Sequence, residues 1–250
     1  MAEAILEIQE LKKTFGGLLA VDSVSMKIAQ GGCSCIIGPN GAGKTTLFNL
    51  ISGYHPADSG KVFFQGKDIT GKSIEEICRS GIARSFQLIS IFPRLSAYDG
   101  VLISLLAREE KTWNPFSPAK KFFRDEAMAV LESVGLADQK KDIFSGDLSL
   151  GDQKRLELGM AVAQNPKLLL LDEPTAGMSP VERVSTMELL QGLAAQKGFT
   201  VLFTEHDMSL VFSISDWIGV LHLGRLIAEG PPLAIKGNET VRKVYLGETE

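Results

Sequence analysis

A glycine-rich stretch near the N-terminus carries the residue types that phosphate chemistry needs. The run GPNGAGKT at 38–45 follows an apolar strand pattern and precedes a helical one, which is the context of a phosphate-binding loop. Backbone N–H groups of such a loop surround phosphates, Lys44 can reach β- and γ-phosphate oxygens, and the Thr45 hydroxyl can bind Mg²⁺. The residues expected at this nucleotide site are Gly38, Pro39, Asn40, Gly41, Ala42, Gly43, Lys44, Thr45 and Thr46.

A second glycine turn, LSLGD at 148–152, begins a predicted helix shortly before the apolar run 168–171. Gly151 permits a close approach of the backbone, and the start of the helix directs unpaired N–H groups and a positive dipole end toward an anion. Since the first loop already holds one nucleotide, we expect Ser149 and Gly151 to face a nucleotide on another subunit. The two stretches together predict an ATPase that works as a dimer with ATP at the interface.

Polar residues follow several predicted strands, where ligands of parallel sheets collect. Asp172 ends an apolar strand and is expected to hold Mg²⁺ directly or through water, and Glu173 is a candidate general base. Gln87 is expected to sense Mg²⁺ or the attacking water, and His206 to hold the γ-phosphate. Phe15, in the turn after the first strand, is a candidate for stacking on adenine. Each also has an ordinary alternative. Asp172 and Glu173 could cap an exposed strand end, Gln87 and His206 could be surface side chains, and Phe15 could pack in the core or in a turn.

The elements that would position these residues alternate between strand and helix patterns. Strands are predicted at 5–10, 24–29, 33–37, 61–64, 82–86, 168–171, 200–204 and 217–221, and helices at 43–52, 73–80, 97–108, 119–134, 181–196 and 207–213. Such alternation predicts an α/β fold with a parallel sheet covered by helices on both faces.

Composition narrows the class of protein. A formal net charge of −4 argues against a general nucleic-acid binder. No apolar run approaches the ~18 residues that a membrane-spanning helix needs, and the first residues lack the pattern of a signal peptide. The chain has 3 cysteines, too few for a disulfide framework, and Cys33 and Cys35 are expected to be core residues rather than metal ligands. We therefore expect a cytosolic protein.

Taken together, these motifs resemble the ATP-binding subunit of ABC transporters over nearly the whole chain. The matching positions are Phe15 (adenine-stacking aromatic), 38–45 (Walker A), Gln87 (Q-loop), 148–152 (signature motif), 168–173 (Walker B with the catalytic glutamate Glu173) and His206 (switch histidine).

The resemblance implies a P-loop NTPase fold of class α/β. A RecA-like core with an antiparallel β flank would span about 1–87 and 165–235, an inserted helical subdomain 88–164 and a tail 236–250. It implies ATP and Mg²⁺ as cofactors. The implied partners are integral membrane permease subunits, a second ABC ATPase subunit, identical or different, and indirectly a solute-binding protein, with no nucleic acid. The subunit would lie peripherally on the cytoplasmic face of the inner membrane.

A narrower resemblance concerns the segments 15–21, 81–87 and 245–248, which are similar to the branched-chain amino acid importer group and to the longer of its two ATPase subunits. Importers of urea, short amides and some aromatic acids also belong to this group. Three rivals to an importer remain: an exporter ATPase such as the lipopolysaccharide type, a soluble ABC ATPase acting on nucleic acid or ribosomes, and a metabolite kinase. The acidic single core and the signature motif disfavour the last two.

Two departures and one apolar run lead to further expectations. Ser179, in the loop after the Walker B segment 168–173, stands where the family has an aspartate. This departure puts in doubt any role of that loop in cross-talk between the two ATP sites. Asp152 stands where glutamine is commoner. One expectation is that its carboxylate repels the γ-phosphate of the partner's ATP, unless Lys154 or Arg155 turns inward to offset the charge. The other is that it points to solvent and has no effect. The run at 88–95 either packs between lobes or lines a groove for a cytoplasmic helix of the membrane subunit.

Overall fold

The computed structural model describes residues 3–85, 90–108 and 123–245. Its strands are β1 (Ala4–Phe15), β2 (Leu18–Ala29), β3 (Cys33–Ile37), β4 (Ser59–Phe64), β5 (Lys67–Asp68), β6 (Ile82–Ser85), β7 (Leu168–Asp172), β8 (Thr200–Thr204), β9 (Trp217–His222) and β10 (Arg225–Gly230). Its α-helices are α1 (Lys44–Ile51), α2 (Ile74–Ser80), α3 (Ala97–Arg108), α4 (Arg124–Ser133), α5 (Leu150–Ala163), α6 (Pro180–Lys197), α7 (Met208–Ile214), α8 (Pro232–Lys236) and α9 (Glu239–Tyr245).

The central sheet has the strand order β10-β9-β3-β8-β7-β6. Strands β6, β7, β8, β3 and β9 run parallel, and only β10 is antiparallel to its neighbour. Successive side chains of a strand point to opposite faces, so each buried strand serves two cores. On β7, Leu168 and Leu170 enter one core while Leu169 and Leu171 enter the other. The predicted parallel sheet is therefore present, with its strand ends at one edge.

The second sheet is antiparallel, with the order β2-β1-β4-β5. It shares the Leu168 side of the core with helix α1. Strand β1 extends further than the pattern predicts, because its pairing with β2 continues to the hairpin end, where Phe15 pairs with Leu18. Phe15 is thus the last residue of β1 and not part of the turn, and the turn itself consists of Gly16 and Gly17, both with positive φ.

Helices α3, α4 and α5 pack against one another and against the other face of the central sheet. Gly159 on α5 allows this close approach, since a Cβ there would lie only 3.3 Å from Val134. Helix α4 begins at Arg124, and the earlier part of the predicted helix, 119–122, lies outside the described residues. Within the described ranges no helix combines the length and apolar character that crossing a membrane requires. The division into core, helical subdomain and tail stays a prediction.

Candidate nucleotide site

The loop between β3 and α1 depends on glycines at two crowded positions. A Cβ at Gly38 would collide with the carbonyl oxygen of Leu221 in β9, and one at Gly43 with the carbonyl oxygen of Ala20. Gly43 also has φ 101°, a conformation that side chains disfavour. Helix α1 starts at Lys44, so its free N–H groups open toward the loop. The loop is therefore shaped by its backbone and not by side chains, as phosphate binding requires.

Lys44 is held inside this loop. Its Nζ donates hydrogen bonds to the carbonyl oxygens of Gly38 at 2.7 Å and Pro39 at 3.2 Å, and the residue is only 7 % exposed. Burial lowers the pKa of Lys44, while the charges of Glu173 and Asp172 act in the opposite direction. Glu173 lines the same cavity as Lys44, so the loop and the end of β7 share one site.

Thr204 joins the two acidic residues at the end of β7. Its hydroxyl donates to Oδ1 of Asp172 at 2.8 Å and accepts the backbone N–H of Glu173 at 3.0 Å. Glu173 has φ 51°, in the left-handed region that non-glycine residues seldom adopt, and the Thr204 bond helps to hold it there. Sequence reasoning missed Thr204. Its only signal was its place as the last residue of β8, directly beside Asp172.

Arg84, whose side chain is buried, lies on the other side of Asp172. Its Nη2 is 3.8 Å from Oδ2 of Asp172, and Nη1 of Arg84 donates to Ser52 Oγ at 2.7 Å. Burial lowers the pKa of Arg84, an effect that the Asp172 charge opposes. Asp172 therefore has a hydrogen bond on one oxygen and a nearby guanidinium at the other, which fixes its orientation.

The general-base candidate contacts the histidine candidate. Nε2 of His206 lies 2.8 Å from Oε1 of Glu173. The backbone N–H of His206 donates to Oε2 of buried Glu205 at 3.0 Å, and the other oxygen of Glu205 accepts from the hydroxyl and N–H of Thr175. Glu205, also missed by sequence reasoning, thus ties the loop after β7 to the loop after β8. Both candidates are positioned by the same pair of loops.

The phosphate loop from position 40 to 46 and Glu173 line one cavity of about 380 Å³, and Asp172 and His206 are not among its lining residues. Its polar end is formed by the phosphate loop and Glu173, and its other end is apolar. Phe15 is 40 % exposed at the apolar end, and its ring meets that of His55 edge-on at 5.2 Å. A ring that is neither buried nor isolated suits stacking on a base. The lining residues are Phe15, Leu18, Leu19, Ala20, Asn40, Gly41, Ala42, Gly43, Lys44, Thr45, Thr46, Glu173 and Leu223.

The signature turn does not line this cavity. Ser149 caps helix α5 by accepting the N–H of Asp152 at 3.2 Å, and Gly151 lies against α6, where a Cβ would approach Oε1 of Glu182 to 2.9 Å. Ser179 caps α6 in a capping box with Glu182, so a serine satisfies that helix start. Ser149 and Gly151 therefore lie outside the cavity that their own chain's phosphate loop lines, and their service to another subunit stays a prediction.

The structure corrects the solvent-facing expectation for Asp152 and shows that the cation beside it is neither Lys154 nor Arg155. Repulsion of a partner's γ-phosphate stays a prediction. Its carboxylate neither points freely to solvent nor lies beside an inward-turned Lys154 or Arg155. It binds Lys140, with Nζ at 2.9 Å from Oδ1 and 2.8 Å from Oδ2. Arg155 instead donates to Ser185 Oγ at 3.1 Å, and Lys154 lies buried 3.8 Å from Glu157. Asp152 binds Lys140 because the loop after α4 brings Lys140 to the start of α5.

The donor set fits Mg²⁺ bound together with a nucleotide. Mg²⁺ prefers oxygen ligands and takes many of them from phosphates and water, so a protein contributes few. The Thr45 hydroxyl and the fixed Asp172 carboxylate are such donors, while Gln87 lies outside the described residues. Across the described part of the chain no cluster of three or more His, Cys, Asp and Glu side chains forms a self-sufficient metal site, and buried Cys33 and Cys35 belong to the core.

Comparison with known proteins identifies the class. Residues 21–176 match the family model of the ABC transporter, and residues 225–250 match that of the branched-chain amino acid ATP-binding cassette transporter. BraF of Pseudomonas aeruginosa, a high-affinity branched-chain amino acid transport ATP-binding protein, is 38 % identical over 99 % of this chain and 100 % of its own. LivG of Escherichia coli K12, described in the same words, is 35 % identical over 99 % of this chain and 100 % of its own.

Solved structures similar to this chain belong to the same class of protein. A nucleotide-free ATP-binding cassette from an ABC transporter superposes with a TM-score of 0.85 at 32 % identity, covering 98 % of this chain and 100 % of that one. The ADP conformation of an ATP-binding cassette gives a TM-score of 0.84 at 32 % identity, covering 99 % and 100 %. The chain belongs to the ATP-binding proteins of ABC transporters, and its C-terminal segment is that of the branched-chain amino acid group. The predicted family, ATPase activity and P-loop NTPase fold class are confirmed, and the exporter, soluble ATPase and kinase alternatives are not favoured.

Proposed function

We propose that this chain hydrolyses ATP at the interface of two ATPase subunits and thereby powers import of branched-chain amino acids through a membrane transporter. The observation that carries the proposal is the separation of two half-sites. The phosphate loop, Asp172 and Glu173 converge near one cavity, whereas Ser149 and Gly151 lie outside it. A complete ATP site then needs the signature turn of a second subunit.

Each predicted site residue has a role in this proposal. The loop 38–46 binds the phosphates through its N–H groups, and Lys44 leaves its carbonyl partners to bind the β- and γ-phosphates. Thr45 and Asp172 hold Mg²⁺, which neutralises charge on the phosphates when bound. Glu173 accepts a proton from the attacking water, and His206 orients Glu173 and then contacts the γ-phosphate. Gln87 would complete the Mg²⁺ and water contacts, and Phe15 stacks on the adenine.

The proposal also includes the partner subunits. A second ABC ATPase subunit, identical or different, supplies the signature turn for this chain's ATP, and this chain supplies Ser149 and Gly151 in return. Permease subunits hold the pair at the cytoplasmic face of the inner membrane, and a solute-binding protein delivers the solute on the other side. The similarity to BraF and LivG, which are transport ATP-binding proteins, supports the permease partner.

An exposed apolar patch formed by Phe92, Ile143 and Phe144 is suited to the permease contact. The three side chains are 43 %, 37 % and 57 % exposed. Their two segments are hydrogen-bonded, since Ser145 donates its N–H to Leu95 O at 2.8 Å and Ala97 its N–H to Ile143 O at 3.1 Å. An exposed apolar surface that lies close in sequence to Gln87 can receive a short helix of the permease. Leu88 and Ile89 of the predicted groove lie outside the described residues.

Reconstitution tests the proposal. The chain is purified with its permease and second ATPase subunit and placed in liposomes with the solute-binding protein added outside. Uptake of radiolabelled leucine, isoleucine or valine is expected only with ATP inside. The Glu173→Gln complex is the matched control, since it is expected to assemble but to hydrolyse ATP far more slowly. ATPase activity stimulated by urea, an amide or an aromatic acid, with none by branched-chain amino acids, would assign a different solute within the group.

A further inference from the structure

The signature turn of this chain carries an unusual negative charge. Asp152 occupies the first turn of α5, and its Oδ2 accepts the hydroxyl proton of Ser149 at 2.8 Å. The same hydroxyl accepts the N–H of Asp152 at 3.2 Å. An anion that binds at this turn needs that hydroxyl proton, and a free carboxylate next to it would both compete for the proton and repel the anion.

Lys140 neutralises this carboxylate. The ammonium approaches both oxygens of Asp152, at 2.9 and 2.8 Å, and the Asp152 side chain is only 14 % exposed. Burial alone would raise the pKa of Asp152, but the bonds from Lys140 and Ser149 outweigh it and the pKa lies below its usual range. The carboxylate is therefore ionised, paired and held at a fixed place beside Ser149.

The other charges near the turn do not perform this role. Arg155 influences Asp152 only through its charge and bonds to Ser185, while Glu182 of α6 adds a second carboxylate near the turn. Glu182 is already occupied by Ser179, through the capping box. Lys140 is thus the cation that contacts the carboxylate of the signature turn. Its side chain is 42 % exposed, so the pair contributes little to the stability of the fold.

We propose that Lys140 is a positioning residue of the signature turn: by binding both oxygens of Asp152 it cancels the charge that this chain introduces there. This lets Ser149 donate its hydroxyl proton to the γ-phosphate of the ATP held by the second subunit. The Lys140–Asp152 pair is electrically neutral, as the glutamine common at this position is. Closing of the interface then turns the Ser149 hydroxyl from Asp152 toward the phosphate, while Lys140 retains the carboxylate. The inference rests on the proposed function, because it assumes ATP at the interface of two ATPase subunits.

The test uses the assembled transporter in liposomes and measures KM for ATP and kcat at low and high salt. Lys140→Met leaves an unpaired carboxylate and is expected to raise KM for ATP about threefold to tenfold at low salt, the size expected of one charge in a partly solvated interface. The effect should shrink at high salt. Lys140→Arg, which keeps the charge, should stay near the parent value.

The decisive variant is the double substitution Lys140→Met with Asp152→Gln. It removes both charges and should restore KM to within about twofold of the parent, whereas Asp152→Gln alone leaves an unpaired cation and should lower KM. Melting temperatures of each isolated subunit control for folding. An unchanged KM for Lys140→Met, or equal impairment of the single and double variants, would overturn the proposal.

A separate variant distinguishes failure of this inference from failure of the proposed function. Gly151→Asp places a bulky acid against Glu182 and should abolish ATP-dependent activity if the signature turn serves ATP at all. If Gly151→Asp leaves activity unchanged, the interface site itself is wrong. If it abolishes activity while the Lys140 variants behave like the parent, only the role of Lys140 is wrong.

Discussion

Nε2 of His206 and Oε1 of Glu173 lie 2.8 Å apart, in hydrogen-bond contact across the ends of two neighbouring strands. The contact restrains the Glu173 carboxylate, which is proposed to accept a proton from water. The backbone of Glu173 is itself in the left-handed region, with φ 51°. The Thr204 hydroxyl accepts the N–H of Glu173, and Glu205 accepts the N–H of His206. The orientation of Glu173 therefore depends on the loops after β7 and β8 together.

Glu173→Gln should retain ATP binding but lower hydrolysis by about 10²–10⁴-fold, because the amide cannot accept the proton of the attacking water. Single-turnover hydrolysis of radiolabelled ATP by the assembled transporter measures this. Lys44→Ala is the matched comparison and should weaken nucleotide binding itself. Near-normal turnover of the Glu173→Gln complex would show that another group is the base.

Thr204→Val should impair both acidic residues at once, because valine matches the shape of threonine but cannot bond to Asp172 or to the Glu173 N–H. Leaving these buried groups unsatisfied should cost about 1–3 kcal/mol of stability and reduce kcat about tenfold or more. Thr204→Ser keeps the hydroxyl and is expected to preserve most of the activity. Urea unfolding and ATPase assays report the two effects, and equal kcat values for Val and Ser would contradict the assignment.

The buried pair of Lys154 and Glu157 should show strong coupling. Nζ lies 3.8 Å from Oε2, the side chains are 5 % and 7 % exposed, and Glu157 also accepts the hydroxyl of Ser85 at 2.9 Å. Glu157→Leu would leave the ammonium buried without its counter-charge and should cost about 3–5 kcal/mol. The double variant with Lys154→Met should recover much of this loss, as urea unfolding would show. A double variant as unstable as the sum of the two single ones would mean that the charges do not interact.

A cysteine at position 92 should crosslink to a cysteine in a cytoplasmic loop of the permease, because Phe92 belongs to the exposed apolar patch beside Ile143 and Phe144. The measurement is the shift of both subunits on a gel after mild oxidation of the intact complex. A cysteine at Leu233, which is 85 % exposed on α8 outside the patch, serves as the matched control. Crosslinks from position 233 but from no position of the patch would place the permease elsewhere.

The chemistry of the site was accessible from the sequence where its residues are contiguous. The phosphate loop, the Asp172–Glu173 pair and the signature turn each lie within a few residues, so local composition and the flanking strand or helix pattern suffice to predict them. The alternation of strands and helices likewise predicts the parallel sheet, since hydrophobic periodicity is a local property.

Only the tertiary structure could show which distant side chains contact the site residues. Thr204 meets Asp172 because β8 lies next to β7 in an order, β3-β8-β7, that is not the order of the chain. Lys140 reaches Asp152 because the packing of α4 and α5 directs a loop toward the start of α5. The sequence by itself therefore determined which residues are candidates for the chemistry and roughly where they stand along the chain. Strand order and helix packing decided which distant side chains hold and neutralise them, because such contacts depend on distances in space and not along the chain.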